Sequence, residues 1–257
     1  MPETCTLCGG NHVVMVGDRA QQCECVKRRI AAKRIRNARI PERYENCRIG
    51  NYQLLPGPYE QFQAAAMLAT SAFVEHARTR TQDGLVFIGT VGVGKTHLAV
   101  SILNELLTTA PHLRCLFRDY RELLSEIRYS FNPETSATEE TVLDPVFTAD
   151  VLLIDELGAE RATDWVLDTV SRILNTRYNR CRATILTTNY PDLPPTDADV
   201  SRLSRRAPRS ETLGDRITEP MRSRLHEMCK VIEIHGEDFR SRAYGATQVG
   251  ERAGMPR

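Results

Sequence analysis

The chain has 257 residues, 41% hydrophobic and 26% charged, which excludes wholesale disorder and allows a full core without a disulfide scaffold. At roughly 150 residues per domain, it holds between one large domain and two ordinary ones. No apolar run approaches the roughly 18 residues of a membrane span, so an integral membrane protein is excluded. The net charge of +1 is unevenly spread. Residues 19–48 carry ten Lys/Arg against three Asp/Glu, and the remainder has 24 against 30. That is a basic arm on a mildly acidic body.

There are eight cysteines, and the opening MPETCTLCGG has no basic-then-apolar secretory pattern. Together these predict a cytoplasmic setting, with metal ligands or reduced thiols rather than disulfides. Cys5-x2-Cys8 and Cys23-x-Cys25 lie fourteen residues apart and present four soft donors on two chelating turns. Such a set suits a structural, tetrahedral Zn²⁺ with every position filled. Cys-x-Cys is the less usual half, so His12 stands as a substitute ligand. Cys47, Cys115, Cys181 and Cys229 are dispersed and read as packing residues. Residues 26–40 (VKRRIAAKRIRNARI) read as a helix that Pro41 ends. Its seven Lys/Arg and no acid over 26–39 suit either phosphates or a docking partner.

Farther along, helices are predicted at 61–77, 95–107, 121–129 and 164–178. Short apolar strands are predicted at 85–89, 113–117, 151–155, 183–189 and 231–234. Apolar strands alternating with helices imply an α/β fold, a parallel sheet covered on both faces. Residues 132–150 contain acids but no bases and read as a flexible connection. Residues 191–214 read as a long loop or short helical insertion, and 246–257 as a frayed tail.

GTVGVGKT (89–96) matches G-x-x-x-x-G-K-[ST] between an apolar strand and a helix start. Glycines let backbone N–H groups converge on a phosphate, and the helix N-terminus favours the anion. Gly89, Gly92, Val93, Gly94, Lys95, Thr96 and His97 are therefore candidate nucleotide-binding residues. Lys95 is placed to reach the β- and γ-phosphates, and Thr96 to hold Mg²⁺. VLLIDELG (151–158) is a buried strand ending in two carboxylates. Asp155 is the candidate Mg²⁺ holder and Glu156 the general base for an attacking water. Asn189, at the end of the fourth strand, positions that water if this strand lies between the two motif strands.

The series of phosphate loop, VLLIDELG, TTN and LGDRITEPMRSRL (213–225) resembles the AAA+ ATPases, specifically DnaC-type helicase loaders and IstB-type transposition helpers. The cysteine pairs, the basic helix and ARIPERYENCRIGNY extend the resemblance, which runs from about residue 5 to residue 245. It implies a five-stranded sheet in the order 5-1-4-3-2, with ATP as the nucleotide. Residues 1–48 become a zinc-binding docking module and 49–245 the ATPase domain. The implied partners are the replicative helicase, single-stranded DNA and further copies of the chain. A neighbour's arginine completes the site in such oligomers. Arg224 is the first candidate, Arg216 the second, and Arg222 the least favoured. The helix at 118–132 becomes a DNA-facing element carrying Arg118, Arg121, Arg128 and Tyr129. A transposition helper acting on duplex DNA is the alternative, disfavoured by the cysteine module.

Overall fold

The computed structural model describes residues 5–77, 83–132, 134, 138–193 and 211–241; the tail expected at 246–257 and most of the loop or insertion expected at 191–214 lie outside them. A two-stranded antiparallel hairpin, β1 (Val13–Val16) and β2 (Arg19–Gln22), leads into α1 (Glu24–Asn37). Two short 3₁₀ turns, Glu42–Tyr44 and Ile49–Asn51, then carry the chain to α2 (Glu60–Ala77). The main body follows as β3 (Gly84–Gly89), α3 (Lys95–Thr109), β4 (Cys115–Asp119), α4 (Tyr120–Tyr129) and α5 (Glu139–Thr148). It continues through β5 (Val151–Asp155), α6 (Asp164–Asn179), β6 (Ala183–Thr188), α7 (Leu213–Ile217), α8 (Glu219–Met228) and β7 (Cys229–Ile234).

Five parallel strands form one sheet in the order β4-β5-β6-β3-β7, which is the expected order. Alternate side chains divide the core between its faces. Leu85, Phe87, Val151 and Leu153 pack with α2 and α3, and Val86, Ile88, Leu152 and Ile154 with the layer that includes α4 to α8. Because both faces are covered, β3 and β5 read as nearly unbroken apolar runs. No described helix is long and apolar enough to cross a membrane.

Three local expectations change. The segment read as a flexible connection contains α5, whose Thr138 N-cap accepts from Thr141 N and whose Leu143 and Val146 are buried. Surface acids hid its narrow apolar stripe. The basic helix ends at Asn37, short of the expected residue 40: Arg39 turns left-handed (φ +55°), and Ala38 O is left to accept from Phe117 N at 2.7 Å. This satisfies an amide on the edge strand β4. The β1-β2 hairpin has no counterpart in the predicted elements, since its strand β2 (RAQQ) is exposed throughout and has no apolar run.

Arg177 lies fully buried on α6 and ties three elements together. Its guanidinium donates to Val146 O (2.7 Å), Ala149 O (3.0 Å), Ala183 O (2.5 Å) and Thr184 Oγ1 (2.9 Å). An Arg177→Met chain would strand several buried carbonyls, at roughly 1–3 kcal/mol for each left unpaired. We therefore expect a clear drop in the urea midpoint with an unchanged slope. An unchanged midpoint would show that those carbonyls find other donors.

Candidate nucleotide site and cysteine centre

The phosphate loop links β3 to α3, and α3 begins at Gly94 in the left-handed region (φ +91°) with no side chain capping its first amides. Those amides stay open toward an anion. A Cβ at Gly94 would lie 2.5 Å from the Tyr52 ring, so glycine is needed for both conformation and space. The loop sits at the carboxyl ends of β3, β5 and β6, where open α/β sheets place ligands.

Lys95 is buried and turned back on its own loop. Its ammonium donates to Gly89 O (2.9 Å), Thr90 O (2.7 Å) and Asn189 Oδ1 (2.7 Å). Burial lowers it to about 8, and the carboxylates of Asp155 and Glu156 oppose the shift. Asp155, 2% exposed, accepts from the Thr96 hydroxyl at 2.8 Å and from the Thr187 hydroxyl at 2.6 Å. Burial raises this carboxyl, and the two hydroxyls oppose that. Thr96 beside a buried, hydroxyl-ligated carboxylate is a hard-oxygen pair that fits Mg²⁺. The adjacent Glu156 is exposed to the cavity, with φ +60°, and its amide donates to Thr187 Oγ1 at 2.9 Å. Consecutive carboxylates thus occupy opposite environments.

A cavity of about 400 Å³ extends from Gly92–His97 past Glu156 and Asn189. The expected residues Gly92, Val93, Gly94, Lys95, Thr96 and His97 line it. Gly89 contributes its carbonyl to Lys95 and packs closely on Ile234 O of β7. His97 bonds Arg48 O at 3.0 Å, drawing in the segment that precedes α2. Sequence reasoning missed the cavity's other walls, Arg43 to Leu55 and Glu237 to Arg240. Tyr52 donates to Val93 O at 3.0 Å, and Phe239 N donates to Gly92 O at 3.1 Å. The first segment overlaps ARIPERYENCRIGNY, which carried the resemblance without a cavity role; for the second, an aromatic residue in polar surroundings was the available signal.

The three arginine candidates take distinct positions. Arg224 is exposed on α8, touches Asn175 and lies 5.7 Å from the Tyr178 ring, away from its own cavity. Arg222 forms a two-point pair with Asp192 (2.7 and 3.1 Å). Arg216 donates to Gly158 O and Glu160 O, both at 2.8 Å, within its own subunit. On the segment expected to face DNA, Arg118 is a correction. Strand β4 turns it inward, 5% exposed and 2.7 Å from Glu126. Arg121 donates to Ala159 O, Arg128 covers the Trp165 ring at 4.7 Å, and Tyr129 is exposed.

The four N-terminal cysteines converge, with all Sγ atoms within 4.8 Å of one another. Cys5 and Cys23 are 3.9 Å apart, and Cys8 and Cys25 are 3.6 Å apart. A tetrahedron with Zn–S near 2.3 Å has S···S edges of about 3.8 Å, so the set fits Zn²⁺. Backbone N–H groups of Cys8 and Leu7 lower the Cys5 thiol to about 7, whereas burial and the neighbouring thiols push Cys25 up to about 12. Four thiolates this close need a cation. His12 is not part of the cluster; its ring meets Arg29 Nη2 at 3.1 Å.

The family model for IstB-like ATP binding proteins matches residues 20–246. YqaM of Bacillus subtilis strain 168, an uncharacterised protein, is 26% identical over 227 residues, 85% of this chain and 64% of that protein. The replicative helicase loader DnaC of Buchnera aphidicola subsp. Baizongia pistaciae is 28% identical over 150 residues, 58% of each chain. The chain thus spans about three fifths of the length of these two relatives. DnaC of Escherichia coli K12 is 26% identical over 202 residues, 79% of this chain and 72% of that protein. Among solved structures, a DnaC helicase loader superposes with a TM-score of 0.61 at 29% identity, covering 76% of this chain and 99% of that one. AMPPCP-bound DnaA from Aquifex aeolicus shares the fold, with a TM-score of 0.55 at 17% identity, over 74% of this chain and 50% of that one. With the match extending over residues 20–246, the chain belongs to the IstB-like ATP binding proteins, has the AAA+ fold, and counts DnaC-type helicase loaders among its relatives.

Proposed function

We propose that this chain hydrolyses ATP and uses it to load the replicative DNA helicase onto single-stranded DNA. The observation that carries this reading is the linked group at the strand ends. Lys95 bonds Asn189, Thr96 bonds Asp155, and Glu156 stands beside them on the cavity. Lys95 would exchange its loop carbonyls for the β- and γ-phosphates, while Thr96 and Asp155 hold Mg²⁺. The metal, when bound, neutralises phosphate charge. Glu156 takes a proton from the attacking water, and Asn189 orients that water. Arg240 lines the same cavity and adds positive charge beside the phosphates. Arg224, supplied by a neighbouring copy, completes the site in an oligomer.

Residues 1–48 form the docking module and residues 49–245 the ATPase. The module's exposed Leu7, Val13 and Met15, and the basic α1, suit a protein partner. ATP binding sets the assembled state and hydrolysis releases it. The relatives named as helicase loaders support this assignment.

The full-length chain should capture replicative helicase in a pull-down and stimulate its loading on single-stranded DNA with ATP. Arg224→Ala should keep ATP binding but lose most hydrolysis under assembling conditions; unchanged turnover there would remove Arg224 from its role. The family description favours a second reading, a transposition helper. Duplex-DNA binding without helicase capture would select it.

A further inference from the structure

The segment after the candidate base is held by more bonds than a surface loop requires. Residues 156–160 leave β5 with φ +60° at Glu156 and +84° at Gly158. A non-glycine residue in the left-handed region persists only where its surroundings over-determine it. Here they do so through four successive carbonyls. Thr188 Oγ1 donates to Leu157 O at 2.9 Å, and Arg216 Nε donates to Gly158 O at 2.8 Å. Arg121 Nη2 donates to Ala159 O at 2.9 Å, and Arg216 Nη2 donates to Glu160 O at 2.8 Å. The amides are engaged as well: Leu157 N donates to Thr187 O at 2.8 Å, and Ala159 N to Glu156 O at 3.0 Å.

Three elements, β6, α7 and α4, therefore grip one short loop. Arg216 is set for this task. Its guanidinium lies 4.7 Å from the Tyr190 ring, and its Nη1 pairs with Glu211 at 2.9 Å. A Cβ on Gly158 would come 3.0 Å from Arg216 Cβ and 3.1 Å from Tyr190, so the absence of a side chain permits the approach. A guanidinium suits the work because its fork reaches two carbonyls at once.

We propose that Arg121 and Arg216 are positioning residues in cis, clamping the 158–160 carbonyls so that Glu156 faces the nucleotide cavity. The assignment rests on the reading of Glu156 as general base. Neither arginine contacts the cavity; both act through the backbone that carries Glu156. Arg216 thereby leaves the set of arginines offered to a neighbouring subunit.

The test uses full-length Arg216→Ala, Arg216→Lys and Arg121→Ala proteins, with Glu156→Gln as reference. Single-turnover ATP hydrolysis should fall on the order of 10–100-fold with nucleotide affinity within about twofold, as expected for a displaced catalytic group. Arg216→Lys should recover part of the rate, since an ammonium still supplies a donor. Amide exchange at 156–160 should accelerate by roughly tenfold while β3 and β5 keep their protection. Wild-type exchange at 156–160 in both alanine variants would overturn the clamp, as would wild-type rates. Mixing Arg216→Ala with Lys95→Ala subunits separates cis from trans action, and recovered hydrolysis would overturn the cis assignment. If the unaltered protein hydrolyses no ATP, the ATPase reading fails, and exchange still decides whether the clamp exists. Arg121 is exposed, so its variant tests the clamp even if removal of Arg216 unfolds α7.

Discussion

Glu156→Gln is expected to bind ATP within about twofold of the unaltered chain and to hydrolyse it roughly 10²–10⁴-fold more slowly, the range for loss of a general base. The contrast with Asp155 makes this outcome specific. Asp155 is buried beneath two hydroxyl donors, where it holds position and no water reaches it freely. Glu156 is one residue farther, exposed, on the cavity wall. Neighbouring carboxylates in opposite environments take different tasks. Glutamine keeps the size of Glu156 and leaves the φ +60° backbone as it was, so binding should survive. Lys95→Ala should act in the opposite manner, losing affinity first, because it removes the phosphate-facing cation. Turnover of Glu156→Gln at the unaltered rate would falsify the assignment of the base.

Chelating the metal, or replacing Cys8 by Ser, is expected to unfold residues 5–23 while leaving the five-stranded sheet and ATP binding intact. The hairpin in this module has four residues per strand, and β2 is exposed at every position. Two short strands do not hold together in water without further support. Structural zinc in small modules supplies about 10–16 kcal/mol of apparent binding free energy, which there becomes folding free energy. The main sheet has its own core on both faces and does not depend on that ion. The purified reduced chain should carry about one zinc, the stoichiometry of a four-thiolate site. Chelation should increase proteolytic nicking before α1 and abolish helicase capture. Retention of a protected hairpin in metal-free protein would overturn the structural role of the ion.

The cysteine centre and the phosphate loop were both legible because their chemistry restricts residue type and spacing. Cys5, Cys8, Cys23 and Cys25 converge as expected, and Gly92, Gly94 and Lys95 line the cavity. The strands were legible for a different reason. Burial on both faces makes β3 and β5 apolar at nearly every position, a pattern with few alternatives. Helix α5 was not, since it buries only Leu143 and Val146 and carries acids on its outer face. Nor was the inward turn of Arg118, because a strand that ends in a helix one residue later can send an arginine to either side.

By itself, the sequence determined the phosphate-loop motif, the four-thiol centre and the order of the five main strands, because each depends on local residue type and period. Only the tertiary structure decided which remote segments complete the cavity and which arginines remain available. Tyr52 and Phe239 reach the phosphate loop from opposite ends of the chain, and Arg216 is engaged by carbonyls nearly sixty positions earlier. Contacts of that separation arise from the crossovers of the parallel sheet, whose strand order places distant residues side by side. The near-neutral total charge concealed a similar division. The basic arm is partly spent on the body it adjoins, with Arg34 donating to Ala110 O and Arg39 paired with Glu126.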